Sequence, residues 1–259
     1  MPTRTVRSLA AAAALAAISA QPRALAAPPK LVVMLVVDQM RADYVDRFQN
    51  DWTGGLKRLV SEGAWFRRAA YPYLTTVTCA GHATVATGAF PHVHGIFQNE
   101  WWDREVGKQM FCVEDLKVVD IGYTSEAEHG RESAWRLLVP TFGDVMRETR
   151  SAHVVSLALK DRSAIMLAGH AADAVTWLGD SLDGWVTSSA YTKAPVPAVK
   201  AFVDANPIDA DFHKSWTPMR PALSGRKIGR PRLNRGAPGS LAMRCPAPMP
   251  NDFTQNWPA

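Results

Sequence analysis

A hydroxyl that attacks an electrophile needs a base or cation to strip its proton, and fixed donors to receive the charge that develops. The stretch from Tyr71 to Trp101 (YPYLTTVTCAGHATVATGAFPHVHGIFQNEW) offers several hydroxyls: Thr75, Thr76, Thr78, Thr84 and Thr87. By chemistry alone they are equivalent. Thr78 is set apart by position, because it precedes the small-residue run Cys79–Thr87, which Gly88 stops, and so reads as a helix N-cap. The first amides of such a helix have no internal partner and can receive an anion such as phosphate. Asp38 is a carboxylate of the type that binds a divalent cation. Lys160 and Arg162, one residue apart, offer a point charge and a planar fork to non-bridging oxygens, and Asn99 adds a neutral amide donor. Together these are the parts of a phosphoryl-transfer site, where a protein mainly positions groups and stabilises charge.

The elements that must hold these residues can be read from periodicity. Lys30–Val37 (KLVVMLVV) is a continuous aliphatic run, the pattern of a parallel strand buried on both faces, and it delivers Asp38 to the strand's carboxyl end, where α/β ligands collect. Met40–Phe48 and Leu56–Ser61 read as short helices and Ala64–Ala70 as a strand leading to the threonines. Pro91–Gly95 reads as a turn and Asn99–Asp103 as a polar-aromatic loop. Ser133–Leu138 and Thr141–Thr149 read as helices, the second capped by Thr141. Val154–Leu159 reads as a second buried strand ending at Lys160-Asp161-Arg162, with Ser163–Leu167 and Ala174–Leu178 as further strands. The succession favours a three-layer α/β/α sandwich.

At 259 residues, with 47% hydrophobic and 20% charged residues, the chain has the composition of a globular protein with a sizeable core. Its first 26 residues differ in kind. Arg4 and Arg7, the apolar run Leu9–Ala20 and Ala24-Leu25-Ala26 have the form of a cleavable secretory signal, too short in its apolar part to span a membrane. The expected location is periplasmic or secreted, with no membrane segment after cleavage. Three cysteines remain for an exported chain: Cys79, Cys112 and Cys245. A Cys79–Cys112 bridge would pin the reactive turn to Phe111–Asp115, and two free buried thiols are the alternative. The net charge of +5 suggests nucleic acid, but Arg220, Arg226, Lys227, Arg230, Arg232, Arg235 and Arg244 concentrate it in the tail, so no nucleic-acid partner is expected for the body. Residues 223–259, dense in Arg, Pro and Gly, lack period and read as disordered or frame-shifted; 27–222 then form the catalytic-type domain.

Four motifs, in order, carry a resemblance: LVVDQMRADY around Asp38, TVTCAGHATVATGAFPHVHGI around Thr78, QNEWWDR around Asn99, and SLALKDRSAIMLAGH around Lys160 and Arg162. Over roughly residues 31–222 the sequence resembles the alkaline phosphatase superfamily, specifically its exported bacterial threonine-nucleophile members, neighbours of the type I phosphodiesterase/nucleotide pyrophosphatase group. The resemblance implies the N-terminal portion of that fold, two zinc ions and hydrolysis of a small phosphomonoester through a phosphothreonine on Thr78. Asp38 and Thr78 would be metal ligands, and Asn99, Lys160 and Arg162 would grip the phosphoryl oxygens. The Lys-x-Arg pair favours a dianionic monoester; a phosphodiesterase or nucleotide pyrophosphatase, or an inactive phosphate-binding fragment, are the alternatives. His82, His92 and His94 are read as structural, since they are not the family's zinc ligands. The family's further Asp and His ligands lie in a later half, and here only Asp209 and His213 have a suitable spacing, with Phe212 where the family has Gly. The expectation is a truncated or frame-shifted product with little activity of its own.

Overall fold

The computed structural model describes residues 29–124, 130–179, 184–211, 215–216 and 243–244. The expected secretory leader, Cys245, His213 and all of the basic tail except Met243–Arg244 lie outside the described residues. The chain divides into two compact units, Met1–Ala42 and Asp43–Ala259. In the first, the aliphatic run does not become a strand. Leu31, Val33 and Leu35 are 78%, 74% and 72% exposed, and the run has no ladder partner among the described residues. A strand is stable only when its N–H and C=O groups pair, so an apolar run without a neighbour stays irregular. Asp38 sits in the turn that follows, where its carboxylate accepts the Gln39 N–H at 3.0 Å and Gln39 takes φ of 59°.

The second unit opens with helices α1 (Asp43–Phe48) and α2 (Gly55–Glu62), close to the predicted spans. Ala64–Ala70 is not a strand; it turns at Arg67-Arg68 and pairs with nothing in a ladder among the described residues. Helix α3 (Thr78–Thr87) is followed by the single turn α4 (Pro91–His94), with Gly88 and Gly95 both left-handed at φ of 66° and 83°. The expected loop after Asn99 is instead strand β1 (Glu100–Asp103), paired antiparallel with β2 (Lys108–Phe111). Trp101 and Trp102 are strand formers, and the hairpin closes through Gly107 at φ of 73°.

Between strand β3 (Asp120–Gly122) and α5 (Phe142–Arg150), residues 130–141 form an irregular stretch. Ser133–Leu138 lies in that stretch and is not a helix. Its polar groups are used elsewhere: the Ser133 hydroxyl donates to Asp115 at 2.6 Å and the Trp135 indole N–H to the Glu114 carbonyl at 2.7 Å. Helix α5 begins where its sequence says it should. Thr141 accepts the Asp144 N–H and Asp144 accepts the Thr141 N–H, a reciprocal capping box.

Strand β4 (Val155–Leu157), helix α6 (Asp161–Ala168) and strand β5 (Ala174–Leu178) form a βαβ unit, with β4 and β5 parallel. Ser163–Leu167 is therefore the body of a helix. A short apolar run of this length fits either state by periodicity, and pairing decides. Strand β6 (Trp185–Ser188) pairs antiparallel with β5 and β3, giving the order β3-β6-β5-β4. Helix α6 covers only the Ser156 face of β4, so Val155 and Leu157 on the other face are 69% and 65% exposed, against the expectation of a doubly covered strand. The core sits between the sheet and α3 and α6, built from Cys79, Ala83, Ile96, Ala164, Ile165, Met166, Val175 and Trp177. Helix α7 (Pro197–Ala205) and the two-residue ladder of β7 (Ser215–Trp216) with β8 (Met243–Arg244) complete the described chain.

Candidate active site

Helix α3 starts at Thr78 itself, one residue earlier than its sequence suggests. Val77 holds the cap position in an extended conformation and its carbonyl accepts the Gly81 N–H at 2.9 Å. Thr78 is half-buried at this first turn. The first amides are not all available to an anion, because Asn99 has taken one: its Oδ1 accepts the Cys79 N–H at 3.0 Å. Only an oxygen can accept that proton, so the assignment of the Asn99 amide is fixed, and its nitrogen has no protein partner among the described residues. The Asn99 carbonyl in turn accepts the Cys112 N–H at 2.8 Å. Cys79 and Cys112 are joined by a disulfide and both are fully buried. Of the two possibilities open in the sequence, the bridge is the one formed.

The small residues of α3 let α6 approach, and the two helices pack against each other with Cys79, Ala83, Ala164, Ile165 and Ala168 in one core cluster. This brings the N-terminus of α6 into the same packed layer. Lys160 occupies its N-cap position with an exposed side chain, at the carboxyl end of β4. Arg162 is 27% exposed, its Nη1 donates to Asp161 at 3.1 Å, and its Nε is buried without a hydrogen-bond partner. Asp161 in the first turn is also favoured by the helix dipole. Thr78 and Asn99 thus meet around one amide, Lys160 and Arg162 share the first turn of the adjoining helix, and Asp38 belongs to the separate N-terminal unit.

The histidines of the threonine stretch are held by the fold. His82 Nδ1 donates to the Thr78 carbonyl at 2.8 Å. His94 is fully buried; its Nδ1 accepts the Ile96 N–H at 3.1 Å, so its Nε2 carries the proton and donates to the Thr84 hydroxyl at 3.0 Å. Tyr73 donates to the same hydroxyl at 2.7 Å. Burial holds His94 below the usual imidazole range. Among the described residues no group of three or more His, Cys, Asp or Glu side chains could hold a metal ion. A tetrahedral zinc site needs three or four protein donors, so the described residues do not complete one.

Three features near the site went unread in the sequence. Asp144 accepts five hydrogen bonds, from the Thr141 N–H and hydroxyl, the His170 N–H and Nδ1, and the Ala171 N–H. Burial works to raise its pKa, but these donors, His170 foremost, outweigh it and hold Asp144 well below the usual carboxylate range. His170, bonded also to the Leu137 carbonyl, is raised chiefly by Asp144. The Thr-x-x-Asp spacing signalled half of this clamp; the His170 half is formed only by folding. Asp120, half-buried, is pushed up to about 9 by desolvation first, then by the adjacent Glu132 and by the charge of Asp161. Arg136 is buried in an ion pair with Asp103 at 2.8 Å, its guanidinium over the rings of Trp135 and Trp101.

The βαβ unit, the small-residue helix and the threonine at its start define an α/β fold of the alkaline phosphatase type. The sequence profile of the type I phosphodiesterase / nucleotide pyrophosphatase family matches residues 32–227, and the chain belongs to that family, within the alkaline phosphatase superfamily. It is 36% identical over 198 residues to alkaline phosphatase PhoV of Synechococcus elongatus, covering 75% of this chain and 36% of PhoV. To alkaline phosphatase PhoK of a Sphingomonas species it is 42% identical over 178 residues, 67% of this chain and 31% of PhoK. It is 36% identical over 196 residues to alkaline phosphatase PafA of Elizabethkingia meningoseptica, 74% of this chain and 36% of PafA. The crystal structure of wild-type PafA superposes with a TM-score of 0.66, covering 74% of this chain and 38% of PafA. A PafA variant substituted at a threonine, an asparagine, a lysine and an arginine gives 0.63 at 32% identity, over 71% of this chain and 36% of that one. The chain thus spans about a third of the length of these curated relatives.

Proposed function

We propose that this chain carries the nucleophile and the phosphoryl-binding side chains of a phosphate monoester hydrolase. Thr78 attacks phosphorus as the ester oxygen leaves, and water then cleaves the phosphothreonine. Asn99, Lys160 and Arg162 receive the non-bridging oxygens. The observation that carries the reading is Asn99: its oxygen is spent on Cys79, one residue from Thr78, so its amide hydrogens are left to a ligand. The PafA variant supports it, because its four substituted residue types recur here in the same order and with nearly the same spacing as Thr78, Asn99, Lys160 and Arg162.

Zinc is the metal the resemblance implies, with Asp38 and Thr78 as donors, but two donors do not make a zinc site. The family also includes diesterases. The Lys160–Arg162 pair favours the monoester, since two cations at non-bridging oxygens suit a dianion better than a monoanion. In this proposal residues 1–26 are a leader, 27–222 the catalytic-type portion and 223–259 a tail, and the protein is periplasmic or secreted. The buried bridge supports that location, because disulfides persist in oxidising compartments.

The test uses the purified chain supplied with zinc and a monoester labelled with radioactive phosphorus, quenched in acid. Any label that forms is expected on Thr78 and absent from Thr78→Ala. Calorimetry with inorganic phosphate should show binding weakened about 10-fold or more in the Lys160→Ala/Arg162→Ala variant, the loss of charge-assisted hydrogen bonds. A chain that takes no label and binds no phosphate, or one that does both as well without these side chains, refutes the proposal. Faster turnover of a diester than of the matching monoester would move the assignment to the diesterase reading.

A further inference from the structure

We propose that the Cys79–Cys112 disulfide is a positioning device that acts through Asn99, fixing the direction of its side-chain amide beside Thr78. The role rests on the phosphoryl-binding reading; the geometry does not.

Three residues form a closed ring. Asn99 accepts the Cys79 N–H with its side-chain oxygen at 3.0 Å and the Cys112 N–H with its main-chain oxygen at 2.8 Å, while a covalent bond joins the two cysteines. Each hydrogen bond alone leaves the asparagine free to rotate or its segment free to drift. With Cys79 and Cys112 tied, both donors are held at a fixed separation, 6.5 Å between their α-carbons; the bond to Cys112 fixes the Asn99 backbone, and from there its side-chain oxygen meets the Cys79 N–H only in the observed orientation. The nitrogen end is then aimed away from Cys79, where it has no protein partner among the described residues.

The surroundings make this a local constraint. Cys112 lies at the end of the β1–β2 hairpin and its segment is tied independently, through the Ser133 N–H to the Val113 carbonyl at 2.8 Å and the Asp115 N–H to the Arg131 carbonyl at 2.7 Å. Helix α3 is tied separately by its packing on α6. Opening the bridge therefore frees the contact between two bodies that each remain folded. A dithiol would open it by exchange: the Cys79–Cys112 S–S bond breaks, two thiols form, and the dithiol is oxidised to its cyclic disulfide.

The test follows the side-chain amide of Asn99 by ¹⁵N NMR in the full chain, in a Cys245→Ser background so that no third thiol competes. The signal is assigned by its loss in Asn99→Asp. The Cys79→Ala/Cys112→Ala variant should move the Asn99 amide pair to the position of a freely rotating amide and raise hydrogen exchange at residue 79 by about 10-fold, with the Trp177 indole signal unchanged. Dithiothreitol on the bridged chain should reproduce the variant. An Asn99 amide that does not move, or a Trp177 indole that moves with it, would overturn the proposal, the second because the bridge would then be only a core staple. A separate arm adds inorganic phosphate: if it shifts the Asn99 amide in neither chain, the phosphoryl-binding reading fails while the ring itself stands.

Discussion

Replacing Asp144 should loosen the register between α5 and α6, and with it the placement of Lys160 and Arg162. The magnitude follows from what the carboxylate does. In Asp144→Ala the capping box is lost, worth about 1 kcal/mol, and the N–H groups of His170 and Ala171, at 2.8 and 3.0 Å, lose a charged acceptor worth about 1.5 kcal/mol each at the low end. The carboxylate is 12% exposed and the loop it holds is at the surface, so water recovers part of this. A net cost of about 3 kcal/mol remains, a shift of about 1.5 M in the urea midpoint for a slope of about 2 kcal/mol per M. Asp144→Asn keeps an acceptor oxygen and should cost about half as much. The pH dependence is the sharper signature. Asp144 is depressed, so its contribution is present above the ordinary carboxylate pKa and fades as pH falls towards the lowered value; His170 is raised, so its contribution is present below about 6.5 and fades as pH rises through the raised value. The pair is fully engaged between about pH 4 and 6.5, and Asp144→Asn should flatten both limbs. A cost for Asp144→Ala below about 1 kcal/mol, or pH limbs that survive Asp144→Asn, would show that the clamp does not hold these helices.

Two other positions give distinct outcomes. His94 is buried with a lowered pKa, so acid favours the unfolded chain; His94→Gln, keeping an acceptor for Ile96 and a donor for Thr84, should reduce the loss of thermal stability between about pH 6.5 and 5, and an unchanged slope would show that burial of His94 does not oppose its protonation. Gly169 lies at φ of 79°, where an added Cβ would run into the Asp144 carboxylate and the Thr141 hydroxyl, so Gly169→Ala should cost about 2–3 kcal/mol from backbone strain plus the broken cap, measured by urea unfolding. A cost under about 0.5 kcal/mol, the range of an ordinary surface change, would contradict that close approach.

What could be read without coordinates is what one turn of chain decides. Thr141 caps α5 because its hydroxyl and the Asp144 carboxylate lie three residues apart, and Gly88 ends α3 because only a residue tolerant of positive φ can leave a helix that way. The order of the four motifs gave the family, and the apolar runs gave the strands at Val155–Leu157 and Ala174–Leu178 but not the helix between them. Tertiary structure decided the rest, because ladders and clamps depend on residues far apart in sequence. Ser163–Leu167 became a helix when Ala174–Leu178 took the place beside β4, and Leu31–Val37 found no ladder partner among the described residues despite a near-ideal strand sequence. Asn99 and Cys79 are 20 residues apart and Asp144 and His170 are 26 apart, and neither pair has a periodicity to announce it. Residue types supplied the candidates; the hydrogen bond from Cys79 to Asn99 and the packing of α3 against α6 are products of the tertiary structure alone.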